Sequence, residues 1–234
     1  MNRTRWIIVI LVAFMAAGLF LSMNKIKDYY IKSKLDPAIE LSEAANNMKN
    51  ITDYRYRLQS SFTVEERGEV ISKVEGEKSN GNTHIKGEMV NTPVDIYYID
   101  RTIYNYDSAS QKWLVIESDT NNSEELLISE LNPLSNFRLK QVNQVEKINF
   151  EMVDGVECLV VQCQPSVESQ LLETLWKDFE YRFWLDYKQR FIRKASLNAV
   201  NKRSPGTTLS LTVEIFDIGE NINIEPPDTS TKKN

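Results

Sequence analysis

The stretch that decides the fold is Tyr54–Val64, YRYRLQSSFTV. Within it Tyr54, Tyr56, Leu58, Phe62 and Val64 alternate with Arg55, Arg57, Gln59, Ser61 and Thr63. Successive side chains of a strand point to opposite faces, so this is an antiparallel strand with one face buried and the other in water. Such a strand needs partners, and the residues after it supply them. Turn signals at Arg67-Gly68, Asn80-Gly81, Asn91 to Pro93 and Asp107 to Ser110 separate short runs at Val70–Val74, Ile85–Met89, Val94–Ile99, Ile103–Tyr106 and Trp113–Ile116. The expected structure is a meander of hairpins.

Helical patterns interrupt the strands. Asp36 and Pro37 read as an N-cap and first helical position, followed by an apolar stripe of Leu41, Ala44, Ala45, Met48 and Ile51. A second helix is expected from Ser123, with a break at Asn132-Pro133. Val145–Met152 and Val156–Cys163 then form a hairpin about Asp154-Gly155. A third helix is expected from Ser166, its stripe being Val167, Leu171, Leu175 and Phe179. Strands near Tyr181–Asp186, Phe191–Val200 and Thr207–Phe216 finish the pattern. This is an α+β chain of about 10 or 11 antiparallel strands, its helices gathered on one face. The closing run Leu211–Pro227, LTVEIFDIGENINIEPP, reads as a strand that closes a curved sheet. Pro226 and Pro227, without backbone donors, are expected to end the ladder at the sheet edge.

The amino terminus has a different chemistry. Trp6–Met23 carries no charge and follows Arg3 and Arg5, and 18 helical residues span about 27 Å, close to the hydrocarbon thickness. The run is longer than a typical signal-peptide core, and no small-x-small cleavage site follows it. It is therefore expected to be a retained transmembrane signal anchor, with residues 1–5 as a cytoplasmic tail and 24–35 as a basic juxtamembrane stalk. Lysines after the span leave the positive-inside count undecided. The export-signal arrangement and the large following domain place that domain, residues 36–227, outside the cytoplasm. Residues 228–234 are expected to be a disordered tail.

Composition narrows the function. With 33 acidic against 28 basic residues the chain has no basic field for nucleic acid. The two cysteines, Cys158 and Cys163, stand five residues apart in a strand. That puts their Cα atoms about 16 Å apart on opposite faces, too far for a disulfide, so both are expected to be unpaired fillers. His84 is the one histidine, with no nucleophile placed beside it by the pattern. Asp119, Asn121, Ser123, Glu125 and Glu130 fall at calcium-loop positions, but Glu124 replaces the glycine that loop needs and a strand precedes it, so no metal is expected. The sequons at Asn50 and Asn121 matter only in a glycosylating pathway. No convergent acid, base or nucleophile set appears, and the chain is expected to be neither an enzyme nor a cofactor binder.

Five segments in order, YRYRLQSSF, NPLSNF, VDGVECLVVQC, YRFWLDYKQRFIRKASL and FDIGENINIEPP, give residues 36 to 227 a resemblance to the LolA-like superfamily of bacterial envelope carriers. The resemblance is greatest to its LppX and LprG lipoprotein branch. It implies a strongly curved antiparallel half-barrel wrapped around helices, with an apolar cavity that takes acyl chains. LolA diffuses free and the LppX and LprG proteins carry a lipidated amino-terminal cysteine, whereas a protein anchor is expected here.

The implied function is an anchored lipid- or lipoprotein-acyl-binding protein at the cell envelope. The alternative is an assembly or signalling adaptor whose closed domain binds an envelope protein. Lipid-cavity candidates are Tyr56, Leu58, Phe62, Ile85, Met89, Ile96, Leu171, Leu175, Phe179, Phe183, Leu197, Leu211 and Val213. The plain alternative for each is an ordinary core position, and a one-residue register slip would invert the set. Arg55 and Arg57 could meet a lipid phosphate, although charges alternating on a wet face are commonly just solvated.

Overall fold

The computed structural model describes residues 26–65, 67–117, 137, 139–141, 144–164, 166–167 and 170–229. The apolar run 6–23, the expected helix at Ser123, the calcium-loop positions and the end of the tail lie outside the described residues. Among the described residues no helix is long and apolar enough to cross a membrane.

The first described elements are a helix over residues 26–34 (α1) and a second helix, α2, Pro37–Lys49. Asp36 caps α2 as the sequence predicts: its carboxylate accepts the N–H groups of Ala38 at 2.9 Å and Ile39 at 3.1 Å. Six strands follow as a meander: β1 Tyr54–Val64, β2 Arg67–Ser79, β3 Asn82–Met89, β4 Thr92–Ile99, β5 Thr102–Asp107 and β6 Lys112–Glu117. Then come β7 Leu139–Gln141, β8 Val145–Val153, β9 Val156–Cys163, β10 Ser166–Val167, the short helix α3 Gln170–Leu175, β11 Trp176–Asp186, β12 Phe191–Asn201 and β13 Thr207–Phe216. β7 and β10 pair with each other. The other strands form one antiparallel sheet of 11, in the order β6-β5-β4-β3-β2-β1-β13-β12-β11-β9-β8. It is open, with β6 and β8 at its edges, consistent with the expected half-barrel.

The sheet joins two meanders at its middle, where β13 lies along β1. Register carries one apolar row across this seam: Val74, Leu58, Val213, Ala195, Phe183 and Val161 are successive neighbours. α2 lays Leu41, Ala44 and Met48 on this inner face over β8, β11 and β12. The outer face carries the polar half of each alternation. Arg55 pairs with Glu77 and Asp217, Arg57 with Glu75, and Lys194 with Glu214. Arg55 and Arg57 are thus committed to outer-face ion pairs, away from the inner face.

The tight hairpins turn through positive φ at Asn80-Gly81, Val90-Asn91, Asp100-Arg101 and Asp154-Gly155, a conformation that the β-branched Val90 rarely adopts. Two expected turns move. Arg67 and Gly68 already belong to β2, and Pro93 lies within β4, beyond the part of that strand that bonds β5.

Two larger expectations are corrected. The helix expected from Ser166 is confined to α3, because the alternation of Tyr181, Phe183 and Leu185 with Glu180, Arg182 and Trp184 extends back into a strand that begins at Trp176. A register shift between Lys177 and Glu180 lets Trp176 and Phe179 reach the same side. Phe179 is therefore a strand residue, and the four-residue spacing from Val167 marks no continuous helix. Second, β13 is a central strand that ends at Phe216, so the twin prolines end no edge. Beyond Gly219, whose N–H donates to Asp53 O at 2.8 Å, the chain runs without regular structure and buries Ile222 and Ile224 against Ile99, Tyr97 and Tyr104. The closing run is a strap across the outer face of β4 and β5. Residues 26–34 are helical, and Lys32 among them donates to Glu157 of β9.

Candidate ligand-binding face

The inner face has two halves of different packing. Over β8–β13 it is closed. Tyr56, Phe183, Leu197 and Val213 are at most 2% exposed, and Phe137 packs edge-on against Tyr181 and Phe183 at 6.0 and 6.1 Å between ring centroids. Leu211 and Phe179 pack at the margin of the same cluster. These residues are core, as the plain alternative had it. Their burial pushes the Tyr54 phenol up to about 12 and raises those of Tyr56 and Tyr181 further.

Over β3–β6 the same face opens. Register places Ile85, Ile96, Asn105 and Leu114 in one row, and Thr83, Tyr98, Ile103 and Ile116 in the next. Ile85 is buried in the main cluster and Val94 packs on it, Ile96 and Ile103 are half-buried, and Leu114 and Ile116 are exposed. Met89 is exposed on this face beside the buried Ser72, whose Oγ has no hydrogen-bond partner. An apolar strip thus rises from core to solvent toward the β6 edge. Val94, Ile103, Leu114 and Ile116 were missed in the sequence although Ile103 and Ile116 are directly paired. The signal was present in the alternation of β5 and β6, but each is only six residues long.

Glycines shape the seam between the halves. Gly76 lies opposite Tyr56, and a Cβ there would stand 2.2 Å from Tyr56 Cζ, so the phenol ring lies across the glycine. Gly87, with φ 153°, brings β3 so close to β2 that a Cβ would meet the Lys73 carbonyl oxygen at 2.3 Å.

The remaining candidates scatter. Leu58 and Val213 adjoin in the central row, while Phe62 is partly exposed and stacks on Trp176 at 5.4 Å. Leu175 is exposed at the end of α3, and the Leu171 side chain lies outside the described residues. His84 faces outward, its Nε2 2.9 Å from Asp95 and its ring stacked on Tyr97 at 3.8 Å. Five strands separate it from the cysteines of β9. Those cysteines are free and buried on opposite faces, Cys163 in the main core and Cys158 against Val160 and Trp184. Burial raises Cys158 to about 12 and Cys163 to about 11. An open depression of about 380 Å³ at the hairpin tips is lined by Asn80, Gly81, Asn82, Tyr98, Asp100 and Arg101, Tyr98 being shared with the second inner row. Among the described residues no three His, Cys, Asp or Glu side chains could hold a metal ion.

No protein-family model matches the sequence. No curated protein matches it either. Solved structures do. Lipoprotein LppX of Mycobacterium tuberculosis is similar with a TM-score of 0.58 at 15% identity, over 82% of this chain and 100% of that one. LprF of Mycobacterium bovis is similar with a TM-score of 0.51 at 12% identity, over 80% and 95%. A LolA superfamily protein of Nitrosomonas europaea lies further off, with a TM-score of 0.32 at 10% identity over 82% and 96%. At these identities the likeness to LppX and LprF is one of fold alone.

Proposed function

We propose that the domain binds a lipid, or the acyl part of a lipoprotein, along the inner face of β3–β6. We further propose that Trp6–Met23 holds it at the cell membrane as a single-pass anchor with the domain outside the cytoplasm. The observation that carries the ligand reading is the group of apolar residues Ile96, Ile103, Leu114 and Ile116 on the inner face, joined to the core through the Ile85–Ile96 pair, crossed by Asn105 and exposed at β6. Each methylene moved from water onto such a surface gains about 0.8 kcal/mol, so one acyl chain would supply useful affinity with no charged group required. The fold shared with the mycobacterial lipoproteins LppX and LprF supports the envelope setting. The tether makes presentation or sensing at one membrane a better match than transport between two.

The test uses the full chain in vesicles containing a phospholipid with a diazirine in its acyl chain. After illumination, crosslinked peptides are mapped by mass spectrometry. Binding on the strip gives crosslinks in β4–β6 that Ile96→Asp abolishes while those in 6–23 persist. Crosslinks confined to 6–23 would sink the ligand reading, and capture of a protein partner through the same strip would favour the adaptor.

A further inference from the structure

Helix α1 has two dissimilar sides. One is fastened to the sheet. Lys32 Nζ lies 2.6 Å from Asp28 one turn back and 2.7 Å from Glu157 on β9, and Glu157 also accepts the Tyr187 hydroxyl at 2.9 Å. Lys32 and Lys147 flank the Phe150 ring at 5.0 and 4.9 Å, and Lys147 donates to the Lys32 carbonyl. The other side carries Ile26, Tyr29 and Tyr30, spaced by three and four residues and therefore on one stripe. They are 66%, 76% and 63% exposed. Lys27 and Lys34 are exposed beside them, Lys34 reaching over the Tyr30 ring at 5.8 Å.

An isoleucine and two tyrosines facing water on a helix that is otherwise docked need a partner, and the chemistry specifies one. Tyrosine with an apolar body and a polar tip, bordered by lysine, is the composition of a helix lying among lipid headgroups. The place in the chain agrees, since the uncharged run ending at Met23 stops three residues before Ile26.

We propose that α1 lies on an anionic lipid surface, with Ile26, Tyr29 and Tyr30 in the headgroup layer and Lys27 and Lys34 meeting lipid phosphates. Because its far side is clamped to β9, α1 holds the β8–β9 edge of the sheet against the bilayer. The domain then has one orientation on the membrane and does not swing on a loose stalk. This rests on the anchor reading above, and the experiment separates the two.

Single cysteines are introduced in the full chain as Tyr29→Cys, Tyr30→Cys and Glu75→Cys, the last on the exposed outer face of β2. Each carries a nitroxide label, and the buried native thiols are left unlabelled. The proteins are placed in vesicles of phosphatidylcholine with or without phosphatidylglycerol. The expected result is severalfold lower access of a water-soluble relaxant to the labels at 29 and 30 than at 75, with deeper placement in the anionic vesicles. A Glu146→Cys label at the start of β8 reads orientation. It should sense headgroups in the wild-type background and become water-like with Lys32→Ala, while the label at 29 stays put. Labels at 29 and 30 as open to water as the one at 75 would overturn the proposal. Depth that ignores lipid charge would overturn the part given to the lysines, and a Glu146 label indifferent to Lys32→Ala would overturn the clamp. Alkaline extraction of the chain from the vesicles reports on the anchor separately.

Discussion

The closest contact at the seam of the two half-sheets offers a sharp test. Tyr56 lies across Gly76, and a methyl at 76 would stand 2.2 to 2.5 Å from two ring carbons and the hydroxyl oxygen of the phenol, closer than real Cβ atoms come. The ring is 1% exposed and cannot swing into water without emptying the centre of the core. Gly76→Ala should therefore cost about 1–3 kcal/mol by overpacking. For a chain of this size, 2 kcal/mol corresponds to roughly 4–8 °C in Tm. Tyr56→Ala alone should cost about 3–5 kcal/mol, the usual loss for a buried aromatic. In the Tyr56→Ala background the obstruction is gone. There Gly76→Ala should stabilise by about 0.5–1 kcal/mol, since alanine gives up less backbone freedom than glycine. The two effects at position 76 have opposite signs, giving a coupling of about 1.5–4 kcal/mol, where unconnected sites add to within about 0.5 kcal/mol. Urea unfolding of all four proteins in one mild detergent, followed by near-ultraviolet circular dichroism, measures it. Equal effects of Gly76→Ala in both backgrounds would refute the idea that the glycine exists to seat the ring.

The parts of this fold readable in the sequence are those fixed by local rules. The alternation of Tyr54–Val64, the Asp36-Pro37 cap and the Asn80-Gly81 and Asp154-Gly155 turns each determine backbone within a few residues, and all stand where expected. What was not readable depends on partners distant in sequence. Phe179 satisfies a four-residue spacing from Leu175 as well as a place in a strand, and β9 and β12 on either side decide the matter. That β13 would lie beside β1 required knowing which two strands meet across more than 140 residues, information no single window contains. The candidate site divides in the same way. Alternation identified inward-facing residues correctly in Tyr56, Phe183, Leu197 and Val213, but whether an inward face is covered depends on where α2 lands.

That landing gives the sheet its asymmetry. α2 has 13 residues and buries Leu41, Ala44 and Met48, enough to cover the β8–β12 side. A helix of that length spans about 20 Å, whereas 11 strands at about 4.8 Å spacing extend over roughly 50 Å along the sheet. One such helix cannot close the whole inner face. Among the described residues α2 thus accounts for the closed β8–β12 side, while Leu114 and Ile116 on β6 are exposed.

Two further predictions follow from charge and burial. Cys158 and Cys163, with thiol pKa values pushed up to about 12 and about 11 by burial, should resist iodoacetamide at pH 8 and react only on unfolding. Labelling of either in the native protein would show that β9 is accessible. The second concerns the clamp on α1. Glu157 has its pKa lowered by its hydrogen bond from Lys32 and, less, by that from Tyr187, with burial opposing. Lys32 is raised by Asp28 and then Glu157. For a lowered carboxylate the stabilisation is fully present above its unfolded value, about 4.3 for glutamate, and is lost as pH falls through the lower folded value. For the raised lysine it is present below about 10.4 and lost only at still higher pH. Between these limits α1 should stay docked, and it should release as pH falls through the lowered Glu157 value. Lys147 donates to the Lys32 carbonyl without involving Glu157, so release should leave α1 loosened but not entirely free. Tyr187→Phe removes one donor to Glu157 and should shift the release midpoint upward. Hydrogen exchange of the amides in 26–34 across pH, corrected for intrinsic rates, measures that midpoint. Protection that increases on acidification, or a midpoint unmoved by Tyr187→Phe, would show that the Lys32–Glu157–Tyr187 cluster is not what fastens the helix to the sheet.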